Sequence, residues 1–474
     1  MKIYNTISRK KEEFNTINKG IVNMYVCGPT TYNFVHIGNA RPMVVFDAFR
    51  NYLASLGYQV NYIQNYTDVD DKIINKSKEE GIGPLELAAK YIGEYRKDAD
   101  SLRVKEATFH PKVSENIEEI IEFIDTLIKK GLAYEVDGDV YFDVRSYKPY
   151  GKLSGKNIDD LKSGARVEIG DKKRSPLDFA LWKAAKEGEI NWVSPWGNGR
   201  PGWHIECSTM SMKYTKSPTL DIHGGGQDLI FPHHENEVAQ SEGYTGKPFV
   251  NYWMHNGFIT VNKEKMSKSL GNFFLVREIL EKFSGEVIRY FILSSHYRNP
   301  IDFNDGALVE SEKSLTKLMT AYNNLGKLID VNQDNQEDIL EIEFTKIEEK
   351  IEKALQDDFN TALAFSFFFD GSKIVTKALK ENLYNQKGLE KAFSIYKKYL
   401  VDILAVLPFE KVENEVLDVD DNDIFNKVMG ILLDVRNMAR KDKNFAYGDL
   451  IRNELTKLDI EIIDTKEGST WKKK

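Results

Sequence analysis

The sequence predicts an α/β half built on a parallel sheet, followed by an all-helical half. Two observations carry this. Residues 21–27 (IVNMYVC) and 58–64 are short runs of β-branched and aromatic residues with an amphipathic stretch between them, the pattern of a β-α-β unit. Beyond Asp305 the pattern changes: Leu315, Leu318, Tyr322 and Leu325 recur at heptad-like spacing, and charged helical stretches with few glycines continue to about residue 400. At 474 residues the chain exceeds what one core holds, since single cores stop growing near ~250–300 residues.

In order along the chain, Gly28-Pro29 breaks the strand at 21–27. A helix is expected to begin near residues 39–42, because Asn39 suits an N-cap and Pro42 is tolerated in a first turn. Val45, Phe49, Tyr52 and Leu53 give it an apolar stripe, and Gly57 ends it. The strand at 58–64 completes the unit, which implies parallel pairing through a right-handed crossover. Residues 115–198 read as an insertion. It holds an amphipathic helix (Ile117, Ile120, Ile121, Ile124, Leu127, Ile128), a strand pair around Val140-Tyr141-Phe142, and a polar stretch rich in Gly and Lys. Strand-like, Gly-rich sequence resumes over 200–234. An acidic linker at 410–423 precedes a last small unit, and no internal repeat or long low-complexity tract occurs.

Composition excludes some classes of function. No apolar run approaches the ~20 residues of a membrane helix. MKIYNTISRKKEEFN has no apolar segment followed by a small-residue cleavage site, so a cytoplasmic location is expected. The only cysteines are Cys27 and Cys207, which in that compartment points to free, catalytic or metal-bound thiols rather than a disulfide. A net charge of −8 argues against indiscriminate polyanion binding. Any RNA contact must use local patches such as Arg436, Arg440, Lys441, Lys443 and Lys472-Lys473-Lys474, which read equally as a solvated face.

Two motifs point to nucleotidyl transfer. Lys265-Met266-Ser267-Lys268-Ser269, closed by Gly271, can wrap a polyphosphate from a moving loop. His36-Ile37-Gly38-Asn39 lies where a strand hands over to a helix, and helix N-termini attract anions. His36 and Asn39 can donate to phosphate oxygens whose charge grows during displacement at the α-phosphorus, while Lys265 and Lys268 supply positive charge. Such chemistry runs on positioning and charge neutralisation and needs no protein nucleophile. A third grouping is Cys27, Cys207, His233 and Glu237. With Pro232 opening a helix, His233 and Glu237 face the same way at i and i+4. Two thiolates, an imidazole and a carboxylate suit tetrahedral zinc. Buried free cysteines beside a polar helix face remain the alternative, and His234 is a competing ligand.

His36-Ile37-Gly38-Asn39 and the lysine motif resemble the HIGH and KMSKS signatures of class I aminoacyl-tRNA synthetases, with Asn39 where many members have histidine. Cys27-Gly28-Pro29-Thr30, Asn65 through Ile73 (NYTDVDDKI), Gly202 through Cys207 (GWHIEC), Asp221 through Gly226 (DIHGGG), Asp357 through Ala362 (DDFNTA) and the stretch from Asp464 to Trp471 are similar to the cysteinyl-tRNA synthetase family. The resemblance runs nearly end to end and implies the following. Residues 1–308 form a Rossmann-like catalytic domain with a connective insertion at about 115–198 and a lysine-loop, stem-contact region at about 262–308. Residues 309–408 form a helical-bundle anticodon-binding domain, and 424–474 a small C-terminal tRNA-binding domain. The expected reaction joins L-cysteine to tRNA(Cys) using ATP with Mg²⁺, and one zinc ion per subunit on Cys27, Cys207, His233 and Glu237 binds the substrate thiolate. Zinc prefers a soft thiolate to a hydroxyl, so serine is rejected at the first step and no editing domain is required.

Gly226-Gln227-Asp228 resembles the class I element whose carboxylate, here Asp228, holds the ATP ribose, and Gly225 in the preceding glycine run is expected to let the adenosine approach the backbone, although a Gly-Gly-Gly run alone is usually a turn. Trp203 is expected to wall the amino-acid pocket or to pack in the core. Thr67 and Asp68 read either as substrate contacts or as structural caps. Phe445 and Tyr447 read as core residues or as platforms for anticodon bases. The expected assembly is a monomer. Two rival readings are a ligase joining cysteine to an amino sugar, whose relatives lack the C-terminal region present here, and a catalytically idle RNA-binding protein.

Overall fold

The computed structural model describes residues 1–157, 172–265, 273–329, 337–408, 421–442, 444–458, 460–465 and 468–473. They fall into two compact units, Met1–Phe409 and Glu410–Lys474.

The first unit opens with a hairpin, β1 (Lys2–Asn5) and β2 (Lys10–Glu13), that the pattern reading did not anticipate. Its second strand is Lys-Lys-Glu-Glu, largely exposed and without alternation; backbone pairing, the Lys11–Asp357 ion pair (2.8 Å) and the bond from Asn5 Nδ2 to Glu12 (2.9 Å) hold it in place. The strand expected at 21–27 is β3 (Ile21–Val26) and the one at 58–64 is β4 (Gln59–Gln64); they pair in parallel. Two later strands, β9 (Leu220–Gly226) and β10 (Val250–Asn256), extend this sheet in the order β10-β9-β3-β4, all parallel. Chain order reverses between β3 and β9, and a crevice at such a switch point, outside the carboxyl ends of the strands, is where open α/β sheets bind ligands.

Helix α1 (Ile37–Ser55) follows β3. It starts before the expected 39–42 and takes Pro42 into its interior. The cap is His36, whose Nδ1 accepts from the Asn39 backbone N–H at 3.3 Å. An imidazole does here what the commoner Asn side chain was expected to do. The helix is buried on nearly every side, with Val44, Val45, Phe46, Phe49, Tyr52 and Leu53 at 1% exposure or less. Each such apolar side chain contributes roughly 1.5–3 kcal/mol by leaving water. Two buried arginines brace it. Arg41 donates to the carbonyls of Phe258 (2.7 Å), Tyr297 (3.1 Å) and Asn299. Arg289 donates to Asp47 of α1 and to the carbonyls of Leu102 and Leu404. Arg41 thereby holds α1 against β11 (Ile259–Val261), which pairs with β12 (Glu264–Lys265) and β13 (Ile301–Phe303).

Helices α2 (Asp71–Glu80) and α3 (Pro84–Ser101) follow β4. The insertion then contains the amphipathic helix α4 (Ile117–Lys129) and a four-stranded antiparallel sheet of β5 (Ala133–Val136), β6 (Asp139–Phe142), β7 (Phe179–Ala184) and β8 (Gly199–Pro201), in one core with Val69, Ile205, Met210 and Ala239. Residues 200–234 are not all strand-like. Helix α5 (Ile205–Thr215) sits between β8 and β9, and the Ser and Thr residues that hide it from a propensity reading bond back to its own carbonyls, as Thr209 does to Ile205 at 2.9 Å. Helix α6 (Glu235–Thr245) leads to β10. Just before it Phe231 is extended (φ −142°, ψ 130°), and Pro232 opens the helical run that carries His233 and Glu237.

After β12 come α7 (Val276–Leu280), α8 (Gly285–Leu293) and the predicted helical half. The latter consists of α9 (Asp305–Ile329), α10 (Leu340–Gln356), α11 (Thr361–Glu381) and α12 (Gln386–Tyr396). Leu315, Leu318, Tyr322 and Leu325 are all buried, as their spacing requires.

The second unit has helices α13 (Asp421–Lys441) and α14 (Phe445–Lys457) and the hairpin β14 (Ile460–Thr465) with β15 (Gly468–Lys473). Its core is Met429, Leu433, Leu455, Ile460 and Ile462. Residues 421–423, expected in the linker, are the first of α13. Part of the basic cluster is internally bound: Arg436, Arg440 and Arg452 converge on Asp464 at 2.7, 2.8 and 2.9 Å. Phe445 and Tyr447 are exposed rather than in the core. Lys443 and Lys474 lie outside the described residues.

Candidate active site and metal centre

Every strand of the parallel sheet delivers residues at its carboxyl end to one cavity of about 600 Å³. They include Cys27 and Gly28 after β3, Gln64 of β4, Gly225 and Gly226 of β9, and Asn256 and Gly257 at the end of β10. His36, Gly38, Asn39, Trp203 and Asp228 line the same cavity. Glycine is required where chains approach: a Cβ on Gly28 would lie 1.6 Å from the Asn65 carbonyl oxygen, and one on Gly225 would lie 2.8 Å from the His234 ring. Gly224 to Gly226 therefore end a strand rather than forming a free turn.

At the sheet end of the cavity the donor atoms of Cys27, Cys207, His233 and Glu237 lie within 4.8 Å of one another. Cys27 Sγ is 3.9 Å from Cys207 Sγ and 3.7 Å from Glu237 Oε1, which is 3.0 Å from His233 Nε2. Each of the two harder donors is oriented from behind. The Nδ1 of His233 meets His204 Nδ1 at 2.9 Å, and Glu237 Oε2 meets His223 Nε2 at 2.8 Å. Supporting contacts of this kind set the tautomer and ring orientation of metal ligands. Cys27, His223, His234 and Glu237 form a second eligible set. In that set, however, His223 is already engaged by the Glu237 oxygen that faces away from the thiols. The His234 ring meets His255 through Nδ1 (2.8 Å), and His255 in turn meets Thr6 at 2.7 Å, while His234 Nε2 lies 3.3 Å from Cys27 Sγ, so His234 stays a competing ligand. Two thiols, one imidazole and one carboxylate oxygen, all buried or half-buried, fit a divalent, thiophilic ion such as zinc.

Electrostatically the four donors act on one another. Burial pushes the Glu237 carboxyl up, but the His223 and His233 imidazoles more than offset it and hold it down at about 2. Burial disfavours a charged His233, yet Glu237 and Cys207 raise it to about 10. Cys207 is opposed by burial and brought down to about 6 by the Cys27 thiol and His233, while burial and Cys207 drive Cys27 well above the ordinary thiol range. Burial lowers His204, His234 and His255, the last to about 3, so these three are neutral supports.

At the other end His36 caps α1. Because its Nδ1 accepts a hydrogen bond, the ring proton of the neutral form belongs on Nε2. Asn39 stands one turn away. Lys265 ends β12; Lys268, together with 266–272 as a whole, lies outside the described residues. The flanks of that segment are anchored beside His36. Thr260 pairs with Lys265 on one side, and on the other Ile37 N–H donates to Phe274 O (3.0 Å) and Val276 N–H to Val35 O (2.9 Å). Asp228 follows β9, with its carboxylate lying across Gly226. Trp203 is 42% exposed, lines the cavity, and places its ring 4.2 Å from that of His233. Thr67 is buried and is not among the cavity-lining residues; its hydroxyl donates to Glu206 at 2.7 Å. Asp68 accepts from Ser114 N–H at 3.0 Å, a structural contact. His204, His223 and His255 were not singled out from the sequence. Their signal was a density of histidine in GWHIEC, DIHGGG and the β10 strand, without spacing that set one apart.

Comparison with known proteins bears on this geometry. Residues 13–313 match the family model for tRNA synthetases class I (C) catalytic domain, and residues 350–408 match the DALR domain. The chain is 54% identical over 476 residues to a cysteine–tRNA ligase of Carboxydothermus hydrogenoformans, covering all of both chains. It is 53% identical over 486 residues to one from Desulforamulus reducens, again over all of both. Among solved structures, Mycobacterium tuberculosis methionyl-tRNA synthetase in complex with methionyl-adenylate shares the fold at a TM-score of 0.65 and 14% identity, over 84% of this chain and 93% of that one.

Proposed function

The chain belongs to the class I aminoacyl-tRNA synthetases and, within them, to the cysteine–tRNA ligases, and from that membership we propose how its residues divide the chemistry. The enzyme activates L-cysteine with ATP, giving cysteinyl-adenylate and pyrophosphate, and transfers the cysteinyl group to the 3′-terminal adenosine of tRNA(Cys). In the first step a cysteine carboxylate oxygen attacks the α-phosphorus and the bond to the bridging oxygen of pyrophosphate breaks. In the second a ribose hydroxyl, the 2′ in the class I pattern, attacks the carbonyl carbon and AMP leaves.

His36 and Asn39 donate to the phosphates at the head of α1, and Lys265 and Lys268 neutralise the charge that grows as pyrophosphate departs. Gly38 and Gly225 admit the nucleotide close to the backbone, and Asp228 accepts from the ribose hydroxyls. Mg²⁺ accompanies ATP. Cys27, Cys207, His233 and Glu237 hold one zinc ion per subunit, which supplies a preference for the substrate thiolate over a serine hydroxyl. Trp203 covers the amino-acid side, and Thr67 supports that wall through Glu206. The helical domain at 309–408 and the unit at 424–474 bind tRNA, the former around the anticodon. Among the described residues no helix is long and apolar enough to cross a membrane, and we place the enzyme in the cytoplasm as a monomer.

The observation that carries this reading is the convergence on one cavity of Cys27, from the metal cluster, with His36, Asn39 and Asp228. The test is cysteine-dependent ATP–pyrophosphate exchange followed by charging of tRNA(Cys). Absence of exchange would refute it.

A further inference from the structure

Lys72, the second residue of α2, lines both the 600 Å³ cavity and a smaller adjoining compartment of about 150 Å³. His36 and Asn39 also line both, whereas Cys27, Trp203 and Asp228 line only the larger one. The smaller compartment is thus reached past the phosphate-binding turn, away from the metal cluster. Phe273, the first described residue after the lysine motif, forms part of its wall, and among the described residues no acidic side chain lines it.

The run leading to Lys72 is rich in carboxylates, yet each is committed elsewhere. Asp68 accepts from Ser114 (3.0 Å), and Asp70 caps α2 by accepting from the Lys72 backbone N–H (2.8 Å). Asp71 is drawn to Lys183 (2.7 Å) and Arg200. The Lys72 ammonium instead stands 5.5 Å from the centroid of the Tyr32 ring, which attracts a cation without neutralising it. Among the described residues no carboxylate forms an ion pair with the Lys72 ammonium, which stands at the junction of the two compartments with His36.

We propose that Lys72 is a catalytic residue of the adenylation step that contacts the β- and γ-phosphates of ATP and holds the departing pyrophosphate in the smaller compartment. As the bond from the α-phosphorus to the bridging oxygen breaks, negative charge builds on the leaving group, and a cation already fixed there stabilises that charge without reorganisation. The assignment rests on the reading that ATP phosphates lie at His36 and Asn39.

The experiment compares full-length, zinc-loaded wild type with Lys72→Gln, Lys72→Arg and His36→Ala in cysteine-dependent ATP–pyrophosphate exchange. Single-turnover transfer from preformed cysteinyl-adenylate to tRNA is measured separately. Lys72→Gln is expected to lower kcat/KM for exchange about 10- to 100-fold, the value of a charge-assisted hydrogen bond, with a raised KM for pyrophosphate. The KM for cysteine, the zinc content and the transfer rate should stay unchanged, and Lys72→Arg should recover most of the loss. Unaltered exchange in Lys72→Gln, a defect confined to transfer (a contact with the tRNA 3′ end), or one confined to the KM for cysteine each overturns the assignment. If His36→Ala exchanges normally, the placement of the phosphates itself fails. If His36→Ala collapses while Lys72→Gln does not, only Lys72 is refuted.

Discussion

Replacing Asp47 by Asn should destabilise the first unit severely while leaving every residue of the cavity in place. Asp47 is 1% exposed on α1 and accepts from Arg289, from Arg50 Nη2 at 2.8 Å and from Lys105 N–H at 3.0 Å. Arg289 is fully buried, so removing the carboxylate leaves a guanidinium with only carbonyl partners in the interior. Breaking a buried pair on one side costs about 3–5 kcal/mol, most of it the penalty of the charge left behind. The assay is urea unfolding followed by far-ultraviolet circular dichroism and tryptophan fluorescence, interpreted where the two probes coincide. Arg289→Met and the double variant complete a cycle. The double variant should be less destabilised than the sum of the singles, because the orphaned charge is then gone.

The same network sets a pH dependence. Burial pushes the Asp47 carboxyl up, but Arg289 and Arg50 outweigh it and hold it below the ordinary carboxylate range. A depressed folded value means the contribution is complete above the unfolded pKa of about 3.9 and is lost as the pH falls below it. Wild type should therefore lose stability below pH ~4 with a component absent in Asp47→Asn. A cost under about 1 kcal/mol, or strictly additive singles, would refute the claim that this is a desolvated, mutually dependent pair.

Cys207→Ser should purify without zinc by metal analysis, and full occupancy there would refute the ligand assignment. His223→Gln should keep the ion but bind it roughly 10- to 100-fold more weakly in chelator competition, since His223 only orients Glu237. His234→Ala should retain stoichiometric zinc; loss of the ion would favour the alternative set containing His223 and His234. A chain ending at residue 408 should retain cysteine-dependent pyrophosphate exchange and lose most tRNA charging. Unimpaired charging would show that the second unit takes no part in tRNA binding.

What could be read in advance followed from strong local patterns. The β3-α1-β4 unit declared itself through periodicity, and the buried heptad positions of α9 through spacing. The four metal-cluster residues came from side-chain chemistry, with the family resemblance joining them. The start of α1 was misjudged because capping statistics favour Asn39, whereas the ring of His36 takes the role. The hairpin of β1 and β2 was invisible because a charged strand has no alternation to betray it. Helix α5 was hidden by Ser and Thr, whose poor propensity is overridden by packing. Lys72 escaped because its significance is a difference: three neighbouring carboxylates turn away from it, which no linear reading can show.

The pairing of β3 with β9 also fixes when the metal can arrive. Cys27 and Glu237 are 210 residues apart and Cys27 and Cys207 are 180 apart, so no short fragment of the chain contains all four donors. In a zinc finger the ligands are local and the ion drives folding. Here the loop to be closed is long, and a chain still on the ribosome has only one thiol of the four donors until residue 207 has emerged. On the proposed ligand set, an ion reaches all four donors only after the parallel sheet has zipped across its switch point. If that set holds zinc, four-coordinate metal in a freshly made population would mark the molecules that have completed the sheet.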